Sequence, residues 1–316
     1  MRLAVLPVRD AGLEKADPAL LEGLVARINE DLSKLPGLRL ISSASVRRYV
    51  ESGKGREAIG RELRADSILD GSAESDGRRL RLELRLIRAS DGQRLWADKF
   101  TFGNDDVPQL PESAVRSIGF ALHRPGATKR GENPVGTRSR SAFENYIRGR
   151  HFLSLRTEES VRLAISYFRA AIDADPAYAD AYAGLADCHN QFGTVAIGGP
   201  PMEHRPLAVS AARQAVQLDP ANAEGHAALG FALLYSWEWE EAGRELDRAL
   251  ELNPSYGIAH IWKASWLIAH GRCPEAVFEA EKAADLDPLS LIAQTQVGWF
   301  YELAGKTDAA IKRYRR

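Results

Sequence analysis

The chain has 316 residues, with 42 Lys and Arg against 43 Asp and Glu, 45% hydrophobic residues and 27% charged ones. That balance is ordinary for a soluble globular protein and leaves room for two domains. No apolar run approaches the roughly 18 residues of a membrane span, and Met1 leads into a strand-like run without a signal-peptide pattern. Residues 1–140 hold 25 basic and 20 acidic side chains and the remainder 17 and 23; this asymmetry is too mild to imply nucleic acid.

In chain order, residues 3–8 read as a short buried strand. Asp17-Pro18 supplies an N-cap and a first-turn proline. Leu21, Leu24, Val25, Ile28 and Leu32 follow at helical spacing, and Pro36-Gly37 ends that helix. Residues 38–41 form a second strand, and two short helices follow at 45–50 and 56–63. Residues 68–74 are a strand and Ser75-Asp76-Gly77 a turn. From 79 to 88, Leu80, Leu82, Leu84 and Leu86 face one way, while Arg79, Arg81, Glu83 and Arg85 face the other, as in a half-buried strand. That arginine face is either a solvent face or one that meets phosphate. Asp91-Gly92 turns the chain into a strand at 93–102, and a helix at 110–122 closes an α+β domain.

The stretches Leu3-Ala-Val-Leu-Pro-Val8, Leu35-Pro-Gly-Leu-Arg-Leu-Ile-Ser42, Ile59-Gly-Arg-Glu-Leu63, Ile68-Leu-Asp-Gly-Ser72 and Leu86-Ile-Arg-Ala-Ser-Asp-Gly-Gln-Arg-Leu-Trp96 resemble the TolB-like amino-terminal domain. In bacterial signalling proteins that domain often precedes tetratricopeptide repeats, with an effector upstream: a winged-helix DNA-binding domain, a nucleotide cyclase or a serine/threonine kinase. No such effector is read in this chain. The chain alone favours a cytoplasmic location, and the resemblance allows a periplasmic one if a membrane span lies upstream of Met1.

Residues 124–140, rich in Gly, Pro, Ser, Thr, Lys and Arg, read as a linker. Beyond it, Asp175-Pro176, Asp219-Pro220, Asn253-Pro254 and Asp287-Pro288 recur at spacings of 44, 34 and 34. Before each proline stand Ala164, Ala208, Ala242 or Ala276, then Phe168, Ala212, Leu246 or Ala280, then Ala171, Ala215, Ala249 or Ala283. That spacing lies on one helix face, and the proline ends the helix. The openers Tyr182-x2-Leu185-Ala186, His226-x2-Leu229-Gly230-x2-Leu233 and Gln294-x2-Val297-Gly298-x2-Tyr301 resemble the tetratricopeptide (TPR) pattern. Two departures stand out: Lys263 occupies an apolar place, and no opener carries the family tryptophan. The expected layout is a TolB-like α+β domain at 1–123 with a mixed sheet, a linker at 124–140, and an all-α TPR solenoid at 141–316. The solenoid has four units and a truncated fifth, so the natural chain is expected to continue beyond Arg316. A loose turn is expected at 155–159, and an insertion near 193–202, where Gly198-Gly199-Pro200-Pro201 breaks any helix.

No phosphate-binding loop, dinucleotide fingerprint, zincin motif or nucleophile elbow is present. Cys188 and Cys273 have no CxxC partner, and free thiols are expected. His226 and His260 occupy equivalent repeat positions, read as inward packing sites and not as a metal pair. Asp173, Asp175 and Glu251 read as a solvated face. No cofactor, metal or catalytic residue is predicted.

The resemblance places the first helix of each repeat along a concave groove. Its offsets give Phe231, Leu234, Tyr235, Ile258, Ile261, Trp262, Ile268, Trp299 and Leu303 as groove residues. They serve either partner binding or packing against further repeats. The set that grips a peptide carboxylate in chaperone adaptors is absent at these offsets. The expected function is a non-enzymatic interaction or sensory module of a bacterial regulatory protein. It would take a protein or peptide in the groove, without direct nucleic-acid binding, and could form a homo-oligomer. The alternative is a small-molecule sensor controlling an effector outside this chain.

Overall fold

The computed structural model describes residues 1–10, 18–35, 37–41, 46, 49, 54–75, 79–122, 136–192, 194, 197–287 and 291–315. They form two compact units, Met1–Gly184 and Leu185–Arg316. The division between them falls inside a helix, and residues 124–135 of the expected linker lie outside the described residues. The helix expected at 45–50 also lies largely outside them, as do Asp17, Pro36, the turn at 76–78 and Pro288.

The first unit opens with β1 (Arg2–Val5), β2 (Arg9–Asp10), α1 (Pro18–Ser33), β3 (Arg39–Ile41), α2 (Arg56–Leu63), β4 (Ser67–Ser75), β5 (Arg79–Arg88) and β6 (Arg94–Gly103). The sheet order is β3-β1-β4-β5-β6, with β2 also beside β4. β1 runs parallel to β3 and β4, whereas β4, β5 and β6 form an antiparallel meander. This is the mixed sheet expected from the sequence. The first strand is shorter than predicted because Pro7 has no N–H to give the ladder, and pairing resumes at Arg9 with Ser72. Leu82, Leu84 and Leu86 are buried while Arg79 and Arg81 are exposed, so the alternation along β5 holds. Helix α3 (Leu110–Ala121) buries Leu110, Ala114, Val115 and Ile118.

The same unit contains α4 (Arg140–Leu155), α5 (Glu158–Ala174) and the start of α6 (Ala179–Phe192). The turn expected to be loose at 155–159 is tight. Arg156 takes a left-handed φ of 54°, and Thr157 and Ser160 satisfy each other's backbone N–H groups in a capping box. Helix α1 lies on α4 at close range: a Cβ built on Gly23 would stand 2.1 Å from Cγ2 of Ile147, so only glycine permits the approach.

The second unit completes α6 and adds α7 (Pro201–Leu218), α8 (Ala223–Tyr235), α9 (Trp239–Leu252), α10 (Gly257–Ala269), α11 (Cys273–Leu286), α12 (Leu291–Leu303) and α13 (Thr307–Tyr314). The recurring alanines Ala208, Ala242, Ala276, Ala215, Ala249 and Ala283 are buried at the helix contacts, as their small size requires. The break after α6 is where Gly198 and Gly199 take φ of 84° and 91°. The acidic or amide residue before each proline has a local job. The carboxylates of Asp175 and Asp219 and the amide oxygen of Asn253 accept from the N–H of Ala177, Ala221 and Ser255 at 3.0, 3.0 and 3.1 Å. Asp175, expected on a solvated face, is therefore a turn-forming residue and also accepts from the Thr137 hydroxyl. This side-chain turn explains why Asp or Asn precedes the first three of these prolines. Helix pairs repeating at 34 residues are the architecture of tetratricopeptide repeats.

Candidate functional site

The inner face of a helix pair is set by counting from the small residue of its first helix that meets the second helix, Gly149, Gly230, Ala264 or Gly298. Gly230 faces Leu246 and Gly298 faces Tyr314; in the first unit Gly149 faces Phe168 in the same way. Residues just beyond Gly230 are Phe231, Leu234 and Tyr235. The same offsets from Gly149 give Arg150, Leu153 and Ser154, and Tyr146 and Phe143 lie one and two turns before Arg150.

In the first unit that face is filled by α1. Phe143, Tyr146 and Leu153 are buried. Arg27, also buried, places Nη1 2.5 Å from Oδ2 of Asp180 and donates through Nε to Asp31 at 2.9 Å. Its Nη1 reaches the Tyr146 hydroxyl at 3.5 Å. Burial works against the Arg27 charge, but Asp180, Asp31 and Glu30 outweigh it and hold its pKa well above the ordinary arginine value. Burial likewise works against ionised Glu30, yet Lys34, Arg27 and Arg150 hold its carboxyl below the usual glutamate range. Burial raises the Tyr178 phenol, whose ring packs 5.1 Å from Tyr146. The knot is structural: its charges neutralise one another.

In the second unit the predicted groove residues divide. Tyr235, Trp299 and Leu303 are exposed at 44%, 44% and 43%. Phe231, Ile258 and Ile268 are half-buried. Leu234, Ile261 and Trp262 are at most 8% exposed and belong to the core, which corrects their assignment to a surface stripe. Trp262 is buried because Phe231 covers it, ring centroids 4.7 Å apart; Phe231 in turn meets Tyr235 at 4.8 Å. The guanidinium of Arg205 lies 5.5 Å from the Tyr235 ring. Partial burial raises the Tyr235 phenol, with Arg205 pulling the other way. The available surface is thus an apolar and aromatic strip from Phe231 and Tyr235 through Ile268 to Trp299 and Leu303.

The histidines behave as packing residues, with a feature the sequence did not show. His226 Nδ1 stands 2.5 Å from Glu245 Oε2 and its Nε2 3.0 Å from the Pro220 carbonyl. His260 repeats this with Glu279 and Pro254 at 2.5 and 3.0 Å. A carbonyl only accepts, so Nε2 carries a proton and neither ring nitrogen is open to a metal. The carboxylates come from the second helix of the pair, 19 residues away, a distance no ligand-spacing rule covers. Burial of Glu279 opposes its ionisation, but hydrogen bonds and charge from His260 and Lys282 hold its carboxyl below the usual range. Lys263, at an apolar place in the repeat, is buried against Asp247 at 2.8 Å and over the Trp266 ring at 4.0 Å. Cys188 and Cys273 are not joined in a disulfide. Among the described residues no group of three or more His, Cys, Asp or Glu could hold a metal ion. None of the described helices is long and apolar enough to cross a membrane.

No protein-family model matches the chain. A Rhizobium meliloti (strain 1021) protein named "Putative adenylate cyclase 3" is 27% identical over 191 residues, 58% of this chain. The aligned part is 32% of that protein, so the chain spans about a third of its relative's length. Among solved structures, TTC0263, a TPR protein of Thermus thermophilus, is 19% identical with a TM-score of 0.44, covering 63% of this chain and 99% of that one. YrrB, a TPR protein with an unusual peptide-binding site, is 20% identical with a TM-score of 0.36, covering 54% and 82%. Human IFIT1, solved with m7Gppp-AAAA, is 20% identical with a TM-score of 0.47, covering 65% and 45%.

Proposed function

We propose that this chain is a non-catalytic interaction module of a bacterial regulatory protein, taking a protein or peptide segment along the inner face of α8, α10 and α12. The observation that carries the reading is the contrast between the covered side chains of α4 and the open ones of α8 and α12. The chain's own α1 covers those of α4, whereas Tyr235, Trp299 and Leu303 stand exposed in the second unit. Exposed aromatic and aliphatic side chains in one strip are the surface that partners use. In this reading residues 1–123 form a TolB-like domain, 124–140 a linker, and 141–316 four repeats with a truncated fifth. The output lies in an effector outside the chain, and the relative named as a cyclase supports a nucleotide cyclase as its class. The test is affinity capture of partners by the full chain and by a Tyr235→Ala, Trp299→Ala, Leu303→Ala variant. The variant is expected to lose specific partners while melting normally; unchanged capture overturns the reading.

A small-molecule sensor is the second reading. It is favoured by an open cleft of about 660 Å³ in the first unit, lined among others by Arg61, Arg64, Arg88, Asp66 and Ser67. A ligand there must raise the melting temperature, so a metabolite screen without any shift removes this reading.

A further inference from the structure

The turn between α8 and α9 departs from its equivalents in one residue. In all three pairs of the second unit the first helix ends in the same double hydrogen bond. Glu238 N–H donates to Leu233 O at 3.0 Å and Trp237 N–H to Leu234 O at 3.3 Å. Arg272 and Gly271 donate to Leu267 and Ile268 at 2.9 and 2.9 Å, and Lys306 and Gly305 to Tyr301 and Glu302 at 2.8 and 2.9 Å. This is the Schellman ending, whose left-handed residue is usually glycine. Gly271 and Gly305 hold that place with φ of 71° and 72°; Trp237, 34 residues earlier, holds it with φ of 67°. A bulky side chain there is a backbone outlier, and burial does not compensate: Trp237 is 77% exposed.

What the substitution achieves is a projecting aromatic surface. The Trp237 ring lies 5.4 Å from that of Trp239, which meets the His270 ring edge-on at 5.5 Å. Trp239 is anchored, since its carbonyl accepts from Trp266 Nε1 at 2.7 Å. Glu238 and Glu240 are the sequence neighbours of the two tryptophans, both exposed and without a side-chain partner among the described residues. The neighbouring cations are committed elsewhere: Arg213 to Glu241 at 3.0 Å, Lys263 to Asp247 at 2.8 Å and Arg272 to Glu275 at 2.5 Å. Arg244 follows one turn later on α9 without removing the local excess of acid. Indole faces attract cations, guanidinium above all, and the open carboxylates reinforce that attraction while repelling phosphate.

We propose that Trp237 and Trp239, with Glu238 and Glu240, form a recognition knob for an arginine- or lysine-bearing segment of a partner protein. The knob stands independently of the inner-face reading. The test pans a random heptapeptide library against the full chain, then measures the selected peptides by calorimetry on variants. Selected peptides are expected to carry Arg or Lys. Trp237→Gly and Glu238→Gln/Glu240→Gln are each expected to weaken them roughly tenfold, while Phe120→Ala, at an exposed residue of the first unit, leaves them unchanged. Glycine is at home at this φ, and the exposed glutamates carry no packing, so both variants keep the fold. Selection of peptides without a cation, selection of none, or equal affinity for the wild type and Trp237→Gly overturns the proposal.

Discussion

The first helix of the first repeat pair, α4, and the first helices of the later pairs, α8, α10 and α12, are covered differently. The first is closed by α1, with Gly23 allowing contact with Ile147 and Arg27 joining Asp180, Asp31 and Tyr146. The second carries aromatic and aliphatic side chains that stay open in its own unit. A repeat face is therefore a socket, and whether it is structural or functional depends on what the chain itself puts there. The polarity of the two faces follows: a socket filled for good holds a neutralised charge network, while an open one holds apolar surface that exchanges water for a partner.

The largest effect is expected where the closed face is broken. Arg27→Met leaves Asp180 and its neighbouring carboxylates buried beside an uncharged chain, and losing one member of such a network costs about 3–5 kcal/mol. Urea unfolding of the variant should lose that much. A loss below about 1 kcal/mol would mean that α1 does not close the face through this knot.

Within the open face, the division between core and surface predicts unequal alanine effects. Trp262→Ala is expected to cost about 3 kcal/mol, as for a buried aromatic, and Trp299→Ala no more than about 0.5 kcal/mol, as for a surface change. Equal losses in thermal melts would refute the division, and with it the choice of Tyr235, Trp299 and Leu303 as the partner-facing set.

Acid should separate the two units by a smaller amount. Glu30 and Glu279 both have folded carboxyl pKa values below their ordinary value. A depressed carboxyl contributes stability above the unfolded pKa of about 4.3 and loses it as pH falls through the folded value. Urea midpoints should therefore hold near neutrality and fall below about pH 4.3. Glu30→Gln and Glu279→Gln should each flatten that fall. A variant with the wild-type pH profile would show that its carboxylate is not held in this way.

Much of this was legible in residue order. The leucine alternation of β5, the prolines at 34-residue spacing and the paired alanines are local periodicities, and each became the element it implied. The closed face was not legible, because Arg27 and Asp180 stand 153 residues apart and nothing in either neighbourhood announces the other. The groove assignment did not foresee the burial of Leu234, Ile261 and Trp262. Repeat offsets state which way a side chain points, but not that Phe231 folds over its neighbour. Trp237 was available to a closer count: Gly271 and Gly305 sit one and two periods after it, so a tryptophan at a glycine place was visible before any coordinates.

That position gives the smallest and most pointed prediction. A left-handed residue with a side chain costs roughly 1–2 kcal/mol relative to glycine, and the contact between the Trp237 and Trp239 rings returns about 0.5–1.5 kcal/mol. Trp237→Gly should then be neutral or stabilising by up to about 1 kcal/mol. Gly271→Trp, which imposes the same strain on the next turn without a second indole beside it, should destabilise by about 1–2 kcal/mol. If instead Trp237→Gly loses more than about 1 kcal/mol in thermal unfolding, the indole is a packing residue and its exposure has another origin. If it gains, the chain carries a destabilising side chain at one turn out of three, and that cost makes sense only for a surface that something else must touch.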